Sequence, residues 1–376
     1  MKVNSLYIHV PFCLRKCNYC DFASLPLPGR EDKLAAYPDL LRSELELWRD
    51  RLDFSRLNTV YFGGGTPSLL SAESVGRILS LIGTTSHAQE ITLEANPGTV
   101  QTAGLQKLRE KGINRLSFGV QSFNDNFLSA MGRAHTAQQA VDAVAMARQA
   151  GFDNISIDLI YGLPNQTLVH WATDLDVALS LDVEHISLYS LSLSEQTPWG
   201  RLLAAGQLTV PDDDAAADML ELAVERMEQH GYRHYEISNF GRPGKESRHN
   251  LSYWRRDNYL GLGMAACSCL CDQRLANVDD YDDYARLIAE NKLPWADAES
   301  LTMDQIMSEA MFLGLRMADG VDVTAFEQCY GISPLKLFKK ELKRLSSNGL
   351  LEFDQSNIRL TKRGFMLGNQ AFTEFV

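Results

Sequence analysis

Apolar, β-branched runs alternate with helical patterns six times in the first half of this chain, and strict alternation of that kind admits few folds. The runs at 5–10, 59–62, 90–94, 115–119, 154–159 and 185–191 read as strands. The stretches at 33–50, 72–82, 100–111, 137–149 and 167–180 read as helices. Such an order calls for parallel strands joined by right-handed crossovers. Six units make an α/β fold of the open, incomplete (β/α)6 barrel type rather than a closed eight-stranded barrel.

Glycine and polar residues gather where these strands end. Gly63-Gly-Gly-Thr-Pro67 follows the second strand and Glu94-Ala-Asn-Pro-Gly98 ends the third. Gln121 follows the fourth, and Asp158 and Gly162-Leu-Pro164 close the fifth. In α/β barrels the loops at that rim converge on one opening, where sites are built.

After residue 193 the alternation fails. Pro211-Asp-Asp-Asp214 starts an amphipathic helix reaching about 230, with aspartates placed as cap and first turn. A strand is expected at 233–239, then a loop carrying His249. Residues 300–376 read as a small helical, winged-helix-like domain, with helices at 304–317 and 334–347 and a hairpin around 350–360. The expected division is therefore a barrel over 1–195, an extension over 196–299 and a C-terminal domain over 300–376.

At 376 residues the chain exceeds one ordinary domain, and 45% hydrophobic content supplies a core. No window approaches twenty uninterrupted apolar residues, so no membrane span is expected. The N-terminal strand runs straight into a cysteine motif, unlike a signal peptide. Seven cysteines without an export signal predict a cytoplasmic protein with free or metal-bound thiols. A net charge of −12 argues against a nucleic-acid surface. The one basic cluster, Lys336 to Arg344, reads as a solvated helix face, with a DNA contact as the alternative.

The cysteine motif is Cys13-x3-Cys17-x2-Cys20, directly after the first strand. Three thiolates on one loop can each hold a separate iron of a [4Fe–4S] cube and leave the fourth iron open to a small molecule. A zinc site, which usually draws on two separated ligand pairs, is the alternative. Three further cysteines, Cys267, Cys269 and Cys271, alternate along a second apolar stretch and would share one face of a strand. They read either as small core residues or as a thiolate site for a second metal. Cys329 reads as core.

With Tyr7, His9, Pro11 and Tyr19 around the triad and the Gly-Gly-Gly-Thr-Pro run beyond it, the chain resembles the radical S-adenosylmethionine (SAM) superfamily. Within it, the chain is similar to the branch of oxygen-independent coproporphyrinogen III dehydrogenases and heme chaperones of the HemW type. The resemblance implies a [4Fe–4S] cluster on Cys13, Cys17 and Cys20, with SAM on its open iron. It places SAM contacts at Tyr7, Tyr19, Gly64, Gly65, Thr66, Glu94, Gln121, Arg133 and Asp158. Chemistry agrees with part of that set. Gly63 to Gly65 let backbone approach the amino group, though a tight strand-to-helix turn needs glycine too. Glu94 or Asp158 can accept from hydroxyl or amino groups, and Arg133 can meet a carboxylate. A capping role for Asp158 and a surface position for Arg133 stay open.

His249-Asn-Leu-Ser-Tyr-Trp254 matches the His-Asn-x-x-Tyr-Trp motif of the HemW branch, which implies heme contact by His249, Tyr253 and Trp254; a loop histidine among core aromatics is the plain alternative. Phe22 stands where the dehydrogenases usually carry a fourth cysteine, and only four residues precede the first strand, which also favours the chaperone side. Gly261-Leu-Gly-Met-Ala-Ala-Cys-Ser268 departs from the family's Gly-x-Gly-x-x-Ala-His-Ser by placing Cys267 where the histidine is usual. The resemblance thus implies a cytoplasmic carrier, able to form a homodimer, that binds heme and passes it to a recipient hemoprotein such as a respiratory one. A porphyrin-directed oxidoreductase using the 5′-deoxyadenosyl radical is the second reading, and an Fe–S sensor without SAM turnover the third.

Overall fold

A computed structural model describes residues 1–55, 57–83 and 88–376. Six parallel strands form its centre: β1 (Ser5–Val10), β2 (Thr59–Gly64), β3 (Glu90–Ala95), β4 (Arg115–Gln121), β5 (Ile155–Tyr161) and β6 (His185–Ser190). Between them run α1 (Glu31–Arg49), α2 (Ala72–Ile82), α3 (Thr102–Glu110), α4 (Ala137–Gln149) and α5 (Leu168–Ser180). The alternation read from sequence is therefore the observed one. Strands β2 to β5 run further than the apolar pattern, into the glycine and polar motifs. Parallel pairing explains the excess: the β1–β2 ladder continues through His9 opposite Gly63 and Val10 opposite Gly64. Backbone hydrogen bonds hold those positions in a strand whatever their side chains.

The sheet does not stop at six strands. It continues on one side with β9 (Tyr259–Leu262), β10 (Cys267–Leu270), β11 (Gln273–Asn277) and β12 (Trp295–Ser300). On the other side it adds β8 (Asn239–Gly241) and β7 (Arg233–Glu236), giving twelve strands. Strand β9 lies parallel to β1, with Ser5 opposite Tyr259 and Ile8 opposite Leu262. Residues 196–299 thus feed both edges of one sheet and share its core, from Met219 and Met227 of α6 (Asp213–Gln229) to Ile288 of α8 (Tyr281–Ala289).

Several local expectations are corrected. The single strand at 233–239 is a hairpin, because the Glu236 carboxylate accepts from Ser238 N (3.2 Å) and from the Asn239 amide and closes a turn. His249 lies not in a loop but on α7 (Arg248–Trp254), whose cap is Ser247 accepting from Asn250 N at 3.3 Å. The expected helix 334–347 breaks at Phe338 into Pro334–Leu337 and Lys339–Ser347. Helix α9 (Met303–Gly314) ends before 317. The hairpin Leu351–Phe353/Asn357–Leu360 gains a third strand, Val321–Asp322, and packs with these helices around Met311, Phe326, Leu342 and Ile358. Cys271 leaves the face of Cys267 and Cys269, because it sits past the end of β10 with φ 57° in the turn to β11. Cys329 is exposed, not core. No described helix is long and apolar enough to cross a membrane.

Candidate functional site

The rim of the parallel strands encloses a cavity of about 370 Å3 lined by Cys13, Cys17, Cys20, Tyr19, Gly64, Gly65, Thr66, Glu94, Gln121, Arg133 and Asp158. All three triad cysteines and eight of the nine residues expected around SAM therefore meet in one place. Tyr7 does not join them. Its hydroxyl bonds His9 Nδ1 (3.2 Å), its ring stacks on Tyr61, and it faces a different cavity.

The cysteine loop is pinned on both sides. Asn18 donates from its side chain to Ala130 O (2.8 Å) and from its backbone to Met131 O (2.9 Å), while Trp199 N donates to Asn18 O (3.0 Å). The glycine run is stitched to the start of the same loop: Gly65 N reaches Val10 O (2.8 Å) and Thr66 N reaches Phe12 O (2.7 Å). Thr66 Oγ1 lies 3.6 Å from Cys13 Sγ. A Cβ on Gly65 would fall 2.6 Å from Phe12 O and 3.0 Å from Cys13 Sγ. At Gly64, with φ 108°, a Cβ would fall 2.6 Å from the His9 ring. These glycines are needed where the run passes the cysteine strand, before any ligand arrives.

Glu94 accepts from Tyr61 OH (2.8 Å) and Gly64 N (3.2 Å). Burial, reinforced by the nearby Asp158 charge, pushes its carboxyl up to about 7. Burial likewise raises Asp158, which faces Ser117 Oγ at 3.3 Å. Asp158 caps no helix: it lies inside β5. Arg133 is no free surface group, since its guanidinium donates to Gly119 O and to Cys17 Sγ at 3.5 Å. Gln121 sits on a bulge of β4 with φ 71°. The buried Asp174 of α5 anchors the chain just beyond it, accepting from Ser122 Oγ (2.7 Å) and Phe123 N (2.8 Å). Sequence reasoning missed Asp174, because an acid in a helix ordinarily signals the wet face. His135, also missed, bridges Asn96 and Val120 O beneath the rim, and burial holds it down at about 4.

The donor set fits an iron–sulfur cube. The three thiols are free, share one loop and face one cavity. Burial raises Cys13 and Cys20, so a metal binding there must displace their protons. Among the described residues no three His, Cys, Asp or Glu side chains converge on one metal ion. A single zinc would need such convergence, whereas a cube asks each thiolate for its own iron.

The expected heme residues separate. His249 is 1% exposed, with Nδ1 on Thr59 Oγ1 and Nε2 on Tyr253 OH, both at 2.8 Å. Burial and the nearby Arg115 hold it neutral, at about 3. Both of its ring nitrogens are thus engaged in hydrogen bonds within the protein. Tyr253 and Trp254 instead line a second cavity, also of about 370 Å3, together with Tyr7, His9, Tyr259, Cys267 and Cys269.

Comparison with known proteins places this architecture among relatives. The Radical SAM superfamily model matches residues 7–178 and the HemN C-terminal domain model residues 301–367. The heme chaperone HemW of Bacillus subtilis is 39% identical over 378 aligned residues, covering 100% of this chain and 99% of the relative. The heme chaperone HemW of Lactococcus lactis is 39% identical, over 100% and 98%. A mitochondrial radical S-adenosyl methionine domain-containing protein 1 of Danio rerio is 31% identical, over 96% and 84%. Among solved structures, the coproporphyrinogen III oxidase HemN of Escherichia coli superimposes with a TM-score of 0.84 over 99% of this chain and 90% of that one, at 24% identity, a likeness of fold.

Proposed function

Because this chain belongs to the HemW family of the radical SAM superfamily, we propose that it is a heme carrier that binds a [4Fe–4S] cluster, SAM and heme and delivers heme to a hemoprotein in the cytoplasm. The observation that carries this reading is the end-to-end identity to heme chaperones, joined to a rim cavity whose donor set suits the cluster. Cys13, Cys17 and Cys20 would hold the cluster. When bound, it supplies an open iron for SAM and an electron to it. The chain's own groups would position SAM. The Gly64–Thr66 backbone lets it approach, Glu94 accepts from its amino group, Arg133 meets its carboxylate, and Asp158 accepts from ribose hydroxyls. Phe22, 62% exposed, stands beside the triad as an apolar side chain, so the loop offers no fourth thiolate there.

The test is anaerobic incubation of reconstituted protein with coproporphyrinogen III, dithionite and SAM. The carrier reading expects the porphyrinogen to be recovered intact. Formation of protoporphyrinogen with consumption of SAM would replace it with a dehydrogenase.

A further inference from the structure

The second cavity combines aromatic, thiol and guanidinium side chains. Its walls are aromatic: Tyr7, Tyr253, Trp254 and Tyr259, with Tyr253 set edge-on to Tyr259 at 4.6 Å. Two thiols project into it from one strand, Cys267 and Cys269. Cys269 is buried, flanked across the ladders by Tyr259 and Arg274. Cys267 is exposed and sits opposite the small Ala276, so its sulfur has open space on the cavity side. Two guanidiniums complete the rim. Arg256 Nε (2.8 Å) and Arg274 Nε (2.7 Å) both donate to Glu309, so two cations share one carboxylate and one positive charge is left over.

We propose that this cavity is the heme site and that Cys267, not His249, supplies the axial ligand to the iron. The inference rests on the heme-carrier reading and gives that reading its ligand. Aromatic walls suit a flat macrocycle, a soft thiolate suits iron, and the surplus positive charge suits a propionate. A cavity of about 370 Å3 takes only part of a porphyrin. It sits near the lower end of ligand pockets, roughly 300–1,000 Å3, so an edge of the macrocycle stays outside, as transfer to a recipient requires.

On binding, the Cys267 thiol gives its proton to solvent, the Fe–S bond forms, and the water held by ferric heme leaves. The iron keeps its oxidation state, so no oxidant or reductant is consumed. The two cavities also share a wall. His9 lines the second, while Gly64, which lines the first, passes so close that a Cβ there would lie 2.6 Å from the His9 ring.

The test is an anaerobic hemin titration of the full-length, cluster-reconstituted protein, comparing wild type with Cys267→Ser, Cys269→Ser and Cys267→His, with cluster absorbance as the folding control. After the titrated complex is reduced with dithionite under carbon monoxide, wild type is expected to show the strongly red-shifted Soret band of thiolate-ligated iron. Cys267→Ser should lose that band and bind hemin about tenfold or more weakly, roughly 1.4 kcal/mol. Cys269→Ser should keep it, and Cys267→His should restore affinity with a nitrogen-ligated spectrum. A Cys267→Ser protein with wild-type spectrum and affinity, or a Cys269→Ser protein that loses the band, overturns the ligand assignment and leaves the carrier reading standing. Wild-type protein that binds no hemin overturns both.

Discussion

Replacing Glu44 with glutamine removes a carboxyl group that no reading of a solvated helix would place where it is. Glu44 is fully buried on α1. Its Oε2 accepts from Gly263 N and Tyr284 OH, and its Oε1 from the Asn277 amide, all at 2.7 Å. It thereby ties α1 to α8, to the residue just past β9 and to the end of β11, beside Tyr37, which bonds His9 O at 2.9 Å. Burial pushes this carboxyl from its ordinary 4.5 up to about 7. A tenfold change in a proton equilibrium is about 1.4 kcal/mol, so a displacement of this size corresponds to about 3 kcal/mol.

Because the folded-state value is the higher one, the native protein holds more protons than the unfolded chain between pH 4.5 and about 7. The group's contribution is therefore full below 4.5 and is lost as pH rises toward 7. Glutamine mimics the protonated form but turns an N–H2 toward a donor. Glu44→Gln should then be less stable than wild type by about 1–3 kcal/mol at acid pH. As pH rises, wild type loses about 3 kcal/mol that the variant does not, so the gap closes or reverses by about pH 8. Urea unfolding midpoints of both proteins at about pH 5 and pH 8 measure this. An equal gap at the two pH values would refute the placement of Glu44 as a buried titrating group.

Two further outcomes follow from the rim cavity. Gly65→Ala puts a Cβ 2.6 Å from Phe12 O and 2.9 Å from Val10 O. It should therefore lower iron incorporation on reconstitution and weaken SAM binding about tenfold or more, roughly 1.4 kcal/mol. Gly104→Ala, with nothing within 4 Å, should do neither, and equal behaviour of the two variants would contradict the close-approach argument. Burial holds Glu94 at about 7, so below that pH it meets a cationic amino group uncharged. SAM affinity in the reconstituted protein should rise from about pH 6 to pH 8, and Glu94→Gln should flatten the rise; equilibrium dialysis reads both, and a pH-independent wild-type affinity counts against the Glu94 role.

The parallel core was legible because period-2 and period-3.6 patterns alternate cleanly there. The rim residues were legible because strands of one sheet bring their ends together. Strand β9 was not, because only four residues, Tyr-Leu-Gly-Leu, form it, and its partner β1 lies some 250 positions away in sequence. Glu44 and Asp174 were invisible for another reason: both sit on helices, where an acid reads as solvated until the partners that satisfy it are placed. His249 shows the converse. Its motif marked it as distinctive, but only the fold reveals that Thr59 and Tyr253 occupy both of its nitrogens. Cys271 left the face predicted by strict alternation because a two-residue turn starts at it. Tyr7 points to the second cavity although it shares β1 with the approach to the cysteine loop.

The most direct measurement of the central claim is a hemin titration of the cluster-reconstituted protein, with and without SAM, followed by mass analysis of the recovered porphyrin and of the nucleosides. The account predicts one heme bound per chain and recovered unmodified, with no 5′-deoxyadenosine formed in proportion to it. Porphyrin consumed in step with 5′-deoxyadenosine would make the protein a porphyrin-modifying enzyme and contradict the carrier reading.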